Sequence, residues 1–134
     1  MRRALALAAA LLVTAPALAA EPARPGAAVD GAAALRHVER LVAIGPRPAG
    51  SAAAARARKY IVAELAAAGV KAQVQPFDAD TPHGRLRMAN IVAVLPGRRA
   101  EVIVLAGHYD TKWFRDIRFV GANDGGSSAA LLIE

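Results

Sequence analysis

The stretch that decides the fold is residues 102–112, Val-Ile-Val-Leu-Ala-Gly-His-Tyr-Asp-Thr-Lys, together with residues 119–128, Phe-Val-Gly-Ala-Asn-Asp-Gly-Gly-Ser-Ser. The short β-branched run that ends at a glycine predicts a buried strand over residues 101–106. The glycine-rich segment precedes an apolar pattern at residues 129–133, which predicts a helix. Ligands bind beyond the carboxyl ends of strands in open α/β sheets, so a site is expected between these two segments.

Three polar side chains of this stretch are candidates for that site. His108 and Asp110 are two residues apart at the end of the strand, so both side chains point to the same side and Asp110 can orient the imidazole. Asp124 follows in the glycine-rich turn, and nitrogen and oxygen donors of this kind suit zinc. Two simpler interpretations remain open: Asp124 could only cap the following helix, and His108 could be a polar residue near the surface.

The rest of the chain predicts helices and strands on both sides of this stretch. Asp30 is expected to cap a helix over residues 32–43, and Ser51 a helix that ends before Gly69. His37 lies off the apolar stripe of the first helix and is expected to face solvent. The remaining expected elements are a strand at 70–75, a polar loop at 77–88, and a strand at 90–95 that pairs antiparallel with 101–106 across a short turn.

The large aromatic side chains are concentrated at the expected site. The chain has 134 residues, enough for one small domain, and aromatic residues make up only 4% of it. Four of the six aromatics lie within or beside the stretch quoted above. Trp113 and Phe114, with Lys112 beside them, are therefore expected to form the walls of a substrate pocket, although aromatics can instead simply cover a sheet edge.

The amino terminus predicts export. Residues 1–20 have two arginines, an apolar run and an Ala-Leu-Ala pattern, which is typical of a cleaved secretory signal peptide; residues 21–30 then form a linker. We therefore expect a secreted or bacterial periplasmic protein without a stable membrane anchor. The chain has no cysteine, so its fold depends on its core. The net charge is +6, but the arginines are scattered, which argues against nucleic-acid binding.

Taken in order, these motifs resemble the zinc aminopeptidase family, whose members have His-x-Asp and Gly-Ala-x-Asp motifs. The chain is similar in particular to the glutaminyl-peptide cyclotransferase (glutaminyl cyclase) branch. The similarity includes His-Tyr-Asp-Thr-Lys at 108–112, Phe-Val-Gly-Ala-Asn-Asp at 119–124, Thr-Pro-His-Gly at 81–84 and Ala-Asn-Ile at 89–91. The usual aminopeptidase pattern is Gly-Ala-Asp-Asp-x-x-Ser-Gly, and this chain departs from it with Asn123 and with Gly125-Gly126-Ser127-Ser128.

The resemblance implies a three-layer α/β/α fold with a mixed, mainly parallel sheet, of which residues 31–134 would be the N-terminal part. It implies that Asp124 is a zinc ligand and Asp110 an orienting residue. His108 would be a ligand in a two-zinc aminopeptidase, and a neighbour of the ion in a one-zinc cyclase. The general-base glutamate would lie beyond residue 134, so we expect the 134-residue chain alone to be inactive.

Three functions follow as hypotheses. The first is a glutaminyl cyclase that acts on peptide or protein N-termini and uses one zinc ion. The second is an aminopeptidase of the same family that uses two zinc ions and hydrolyses the first peptide bond with metal-bound water. The third is an inactive fragment or a secreted binding module, because one aspartate and one histidine fall short of the three protein ligands of a typical catalytic zinc.

Overall fold

The structure is a computed structural model, and it describes residues 29–134. The expected signal peptide and most of the linker lie outside the described residues. The helices and strands are α1 (Gly31–Ile44), α2 (Ala52–Ala67), β1 (Ala72–Thr81), β2 (Gly84–Ala93) and α3 (Ser128–Ile133). A wide helical turn, Ala122–Ser127, leads into α3 and is interrupted by non-helical backbone at Asp124 and Gly125. No helix among residues 29–134 is both long and apolar enough to cross a membrane.

Both predicted helix starts are confirmed. The Asp30 carboxylate accepts hydrogen bonds from the Ala32 and Ala33 amides at 2.9 and 3.0 Å, which satisfies two otherwise unpaired donors of α1. The Ser51 hydroxyl accepts from the Ala54 amide at 3.1 Å at the start of α2. These short polar side chains therefore fix where each helix begins, as the sequence predicts.

A small apolar core joins the three helices. Leu41 of α1, Ala57 and Ile61 of α2, and Ala129 of α3 form one buried cluster. Ile91 and Tyr109 pack against this cluster from the β2 side and from the site. Because the core consists of small aliphatic side chains, the helices can approach closely, but little apolar area is buried per residue.

His37 does not face solvent, contrary to the prediction. Its Nδ1 lies 2.6 Å from the Tyr60 hydroxyl and its Nε2 lies 3.3 Å from a Glu134 carboxylate oxygen. The side chain is only 14% exposed. The histidine lies in a groove between α1, α2 and the end of α3, and its polar partners Tyr60 and Glu134 line the same groove.

The sheet differs from the prediction. Within residues 29–134 it consists of β1 and β2 alone, paired antiparallel from Ala72 opposite Ala93 to Thr81 opposite Gly84. The segment expected as a polar loop, 77–88, therefore forms the inner halves of two long strands and their turn. The Thr81 hydroxyl stabilises this turn by donating to the Gly84 carbonyl at 2.7 Å, a local bond that the loop prediction overlooked.

The predicted strand 101–106 does not form among the described residues, and its predicted antiparallel partner at 90–95 pairs with β1 instead. Four of its side chains are 77–88% exposed, namely Val102, Ile103, Val104 and Leu105. A strand is stabilised by ladder bonds to a neighbour, and no described strand lies beside this run. The one parallel pairing in the described part of the chain is the isolated bridge between Pro48 and Thr111, three residues after His108.

The Asp30 cap predicts a pH-dependent contribution to stability. The hydrogen bonds from Ala33 and Ala32 lower the pKa of Asp30 from its ordinary value of 3.8. A lowered pKa stabilises the fold above the unfolded-state value, and this stabilisation is lost as pH falls through the folded-state value. Urea unfolding should therefore show Asp30→Ala less stable than wild type at pH 7, with the difference shrinking below pH 3.8.

The control is Asp116→Ala, which removes an exposed carboxylate from the loop between residues 112 and 119. This variant should unfold like wild type at pH 7. If Asp30→Ala lowers the free energy of unfolding by the same amount at all pH values, the carboxylate charge does not contribute to the cap.

Candidate metal and substrate site

The three predicted site side chains lie together. His108 Nδ1 is 3.3 Å from Asp110 Oδ1, and His108 Nε2 is 3.1 Å from Asp124 Oδ1. The imidazole therefore lies between the two carboxylates, and all three side chains are 40–55% exposed. The predicted proximity of these residues is met, while their roles in metal binding stay predictions.

The alternation of side chains explains how His108 and Asp110 reach the same place. Tyr109 points to the opposite side, where its hydroxyl donates to the Ala89 carbonyl of β2 at 2.7 Å and accepts from Arg58 at 3.2 Å. A tyrosine anchored in the interior thus fixes the backbone of this segment. As a result the histidine and the aspartate on either side of Tyr109 both point outward.

Asp124 does not cap α3. Its backbone is extended, with φ −82° and ψ 103°, and Gly125 follows at φ +84°. Helix α3 begins only at Ser128, and its capping residue makes no side-chain cap bond. This change of backbone direction turns the Asp124 carboxylate towards His108, so the simpler interpretation of Asp124 as a helix cap is wrong.

Gly125 is required by the close packing of the two segments. A Cβ atom at this position would lie 2.6 Å from the Asp110 carbonyl and 3.0 Å from the His108 ring. Its positive φ is also a conformation that glycine adopts readily and other residues do not. The glycine therefore allows the Asp124 turn to approach the histidine closely enough for contact.

The site includes one residue that the sequence prediction missed. Arg47 is fully buried, at 0% exposure, and its guanidinium donates to main-chain carbonyls on both sides of the site. Its own amide donates to the Thr111 hydroxyl at 3.0 Å, and the Thr111 amide donates back to the Arg47 carbonyl at 3.1 Å. The only sequence signal is its place in the Gly-Pro-Arg-Pro segment at 45–48, between the two predicted helices.

Trp113 lies at a cavity next to the site. The cavity has a volume of about 420 Å³, and both Asp110 and Trp113 line it, together with the turn before α2 and the tip of the β1–β2 hairpin. The indole meets the His83 ring of the hairpin edge-on, with centroids 4.4 Å apart. An aromatic side chain therefore lies beside the candidate site, as the sequence predicts.

The other two predicted pocket residues do not line this cavity. The Lys112 ammonium lies 5.3 Å over the Phe114 ring, and Phe114 packs edge-on against Phe119 at 5.3 Å. Their aromatic packing orders the loop between the two site segments. A direct role of Lys112 and Phe114 in substrate binding is not tested by this arrangement and stays a prediction.

The donor set fits part of a zinc site. Two ligand atoms of one tetrahedral zinc, each about 2.0–2.1 Å from the ion, lie about 3.3 Å apart. The 3.1 Å between His108 Nε2 and Asp124 Oδ1 is close to this separation. Residues 29–134 contain no cluster of three or more histidine, cysteine or acidic side chains suited to a metal ion. The described residues can therefore supply two ligands of a site that normally needs at least three from the protein.

The electrostatics of His108 and Asp124 also favour a cation between these two side chains. If Nδ1–H of a neutral imidazole donates a hydrogen bond to Asp110, the lone pair of Nε2 faces the Asp124 carboxylate. Two acceptors at 3.1 Å repel each other unless a proton or a metal ion lies between them. The arrangement is consequently one that a cation stabilises.

Comparison with known proteins identifies the fold. The sequence profile of peptidase family M28 matches residues 90–134. A mouse glutaminyl-peptide cyclotransferase-like protein is 41% identical over 92 residues, covering 66% of this chain and 24% of the relative. The chain thus spans about a quarter of the length of this curated relative.

Two solved structures extend the similarity. The glutaminyl cyclase of an Acidobacteriales bacterium has a TM-score of 0.76 and 41% identity, over 87% of this chain and 41% of that one. A Zn-dependent exopeptidase from Parabacteroides distasonis has a TM-score of 0.71 and 25% identity, over 78% of this chain and 39% of that one. The α/β fold class predicted from the sequence is confirmed, and residues 29–134 contribute three helices, an antiparallel hairpin and one parallel bridge to it.

Three glycine variants should distinguish two reasons why alanine is unfavourable at position 125: the close contact with the site and the left-handed backbone. Gly125→Ala places a methyl group against Asp110 and His108 and also occupies a left-handed backbone position. Gly69→Ala has the same kind of positive φ with open space around it, and Gly97→Ala has open space without a positive φ. In thermal unfolding, Gly97→Ala should leave the free energy of unfolding nearly unchanged, and Gly69→Ala should lower it by about 1 kcal/mol. Gly125→Ala should lower it clearly more.

The same loss in Gly69→Ala and Gly125→Ala would contradict the close packing of the Asp124 turn against His108. It would mean that only the backbone conformation restricts position 125.

The chain therefore resembles peptidase family M28 in sequence over residues 90–134, and the solved structures that it resembles in fold include a glutaminyl cyclase and a Zn-dependent exopeptidase.

Proposed function

We propose that this protein is a zinc-dependent glutaminyl-peptide cyclotransferase, which converts an N-terminal glutamine of a peptide or protein into pyroglutamate. The observation that supports the proposal most is the 3.1 Å contact between His108 Nε2 and Asp124 Oδ1, with Asp110 on the other side of the imidazole. The 41% identity to a glutaminyl cyclase of known structure favours the cyclase over other activities of the family.

The reaction is an internal displacement. The α-amine of the N-terminal glutamine attacks the carbon of its own side-chain amide, the new C–N bond closes a five-membered lactam, and the amide nitrogen leaves as ammonia after gaining a proton. Zinc, when bound, would supply a Lewis acid for the amide carbonyl. The proton transfer requires a general base, which the resemblance places in a glutamate beyond residue 134.

The described residues contribute binding and orientation. Asp124 would hold the ion, and Asp110 would keep the imidazole of His108 in one orientation. The cavity beside Asp110 and Trp113 is open to solvent and large enough for a few side-chain groups of a peptide. Its position next to the candidate metal ligands suits a substrate whose first residue reacts while the following residues stay outside.

The second candidate is an aminopeptidase with two zinc ions. It is favoured by the similarity to the Parabacteroides distasonis exopeptidase, and it would make both His108 and Asp124 ligands. Export through the N-terminal signal and action on extracellular or periplasmic peptide N-termini are part of the proposal for either activity. The departures from the aminopeptidase pattern at Asn123 and at residues 125–128 weaken the case for this second candidate.

The two activities can be distinguished with a pair of peptides that differ only in their first residue. The natural protein that contains this sequence should release ammonia from a glutamine-first peptide and leave a leucine-first peptide intact. Metal analysis should give one zinc ion per chain. Release of free leucine together with two zinc ions per chain would instead establish the aminopeptidase.

Substitutions at the site should separate ligation from orientation. In the natural protein, Asp124→Ala should lose both zinc and activity, because a site with one ligand fewer does not retain the ion at neutral pH. Asp110→Asn should keep its fold and lose activity by ~10–100-fold, the usual effect of removing a group that orients a metal ligand.

Asp116→Asn serves as the control, since it changes an exposed carboxylate of the same loop region. It should retain zinc and activity. Full zinc content and full activity in Asp124→Ala would show that other residues hold the ion.

A further inference from the structure

Arg47 connects the two segments that form the site. Its Nε donates to the Tyr109 carbonyl at 2.7 Å, its Nη1 to the Val120 carbonyl at 2.6 Å and its Nη2 to the Gly121 carbonyl at 3.0 Å. Tyr109 is the residue between His108 and Asp110, and Gly121 is three residues before Asp124. One planar group therefore binds the backbone on both sides of the site.

The same guanidinium also ties the site to α1. Nη1 donates to the Leu41 carbonyl at 3.2 Å and lies 3.4 Å from the Gly45 carbonyl. These acceptors lie in the last turn of α1 and at its end, so Arg47 joins three separate parts of the chain. A guanidinium is planar and its donors have fixed directions, so the carbonyls that it binds are held at fixed relative positions.

The bonded groups around Arg47 are neutral carbonyls, although the side chain is fully buried. Burial lowers the pKa of Arg47 from its ordinary value, and attraction to the Asp110 carboxylate opposes this effect. Arginine stays protonated in proteins, so the cation must be stabilised by the carbonyl dipoles and by Asp110. A lysine ammonium could not reach the same set of acceptors, because its three donors radiate from one atom.

The turn before Asp124 depends on this arrangement as well. The Gly121 carbonyl accepts from Arg47 Nη2 and also from the Gly126 amide at 3.0 Å. A Cβ atom at Gly126 would lie 2.7 Å from the same carbonyl and 3.5 Å from the guanidinium. The backbone that directs Asp124 towards His108 is thus packed directly on the arginine.

We propose that Arg47 is the positioning residue of the metal site, which sets the separation of His108 and Asp124 by binding the main chain beside each of them. Its effect on zinc rests on the proposed function, whereas its effect on the distance between the two side chains does not. Arg47 touches neither residue's side chain, and it acts through the carbonyls of Tyr109, Val120 and Gly121.

The test compares Arg47→Lys and Arg47→Ala with Ile61→Ala in the natural protein. Ile61 is 7% exposed in the same helical core, and its truncation lowers stability without removing a hydrogen bond to the backbone of the site. Zinc affinity is measured by competition with a chromophoric chelator, thermal unfolding is measured in parallel, and crystal structures give the distance from His108 Nε2 to Asp124 Oδ1.

Both Arg47 variants should bind zinc ~10–100-fold more weakly than wild type, while Ile61→Ala should lose stability and keep its zinc affinity. The distance between the two side chains should increase in Arg47→Lys from 3.1 Å. Methylguanidinium should restore zinc affinity to Arg47→Ala, because it can occupy the vacated space and donate to the same carbonyls, and methylammonium should not.

The proposal is overturned if the Arg47 variants lose stability but keep wild-type zinc affinity and the wild-type distance. It is also overturned if neither variant folds, with or without methylguanidinium, because Arg47 would then support the fold as a whole. If the wild-type protein binds no zinc, the proposed function fails, and the crystallographic distance still tests the role of Arg47.

Discussion

The structure depends most on the buried guanidinium of Arg47. A fully buried cation is unfavourable unless its donors are satisfied, and here the main-chain carbonyls of α1, of the His108 segment and of the Asp124 turn satisfy them. The apolar core is built from small side chains and cannot by itself dictate how these loops approach one another. Directional hydrogen bonds to one rigid guanidinium determine how these loops are placed.

The site follows from this constraint together with two local features. Tyr109 is anchored to β2, so its neighbours His108 and Asp110 point outward. Gly125 allows the backbone of the Asp124 turn to pass within contact distance of the histidine. In the resulting line of carboxylate, imidazole and carboxylate, His108 Nε2 lies 3.1 Å from Asp124 Oδ1, a contact that a proton or a metal ion between the two atoms stabilises.

Much of this could be predicted from the sequence where the signal is local. The caps at Asp30 and Ser51 and the common orientation of His108 and Asp110 follow from side-chain chemistry and from the alternation of a strand. The resemblance to the family rested on motifs near the site and held over most of the described residues. These features need only a few neighbouring residues to be recognised.

The predictions that proved wrong concern interactions between distant parts of the chain. The run 101–106 has the composition of a strand, but strand formation depends on a partner, and β2 pairs with β1 instead. The polar residues 77–88 form a hairpin because cross-strand hydrogen bonds outweigh their composition. Arg47 was overlooked because its acceptors are up to 74 residues away, and no local pattern distinguishes a buried arginine from a solvated one.

The most direct test of the central claim is anomalous X-ray scattering at the zinc absorption edge, from crystals of the natural protein grown with zinc. The account predicts an anomalous peak about 2.0–2.2 Å from an Asp124 carboxylate oxygen, with the His108 imidazole beside it. A single peak would agree with the cyclase, and a pair bridged by Asp124 with the aminopeptidase. A fully occupied zinc ion bound away from Asp124, or the absence of any peak at this carboxylate, would contradict the account.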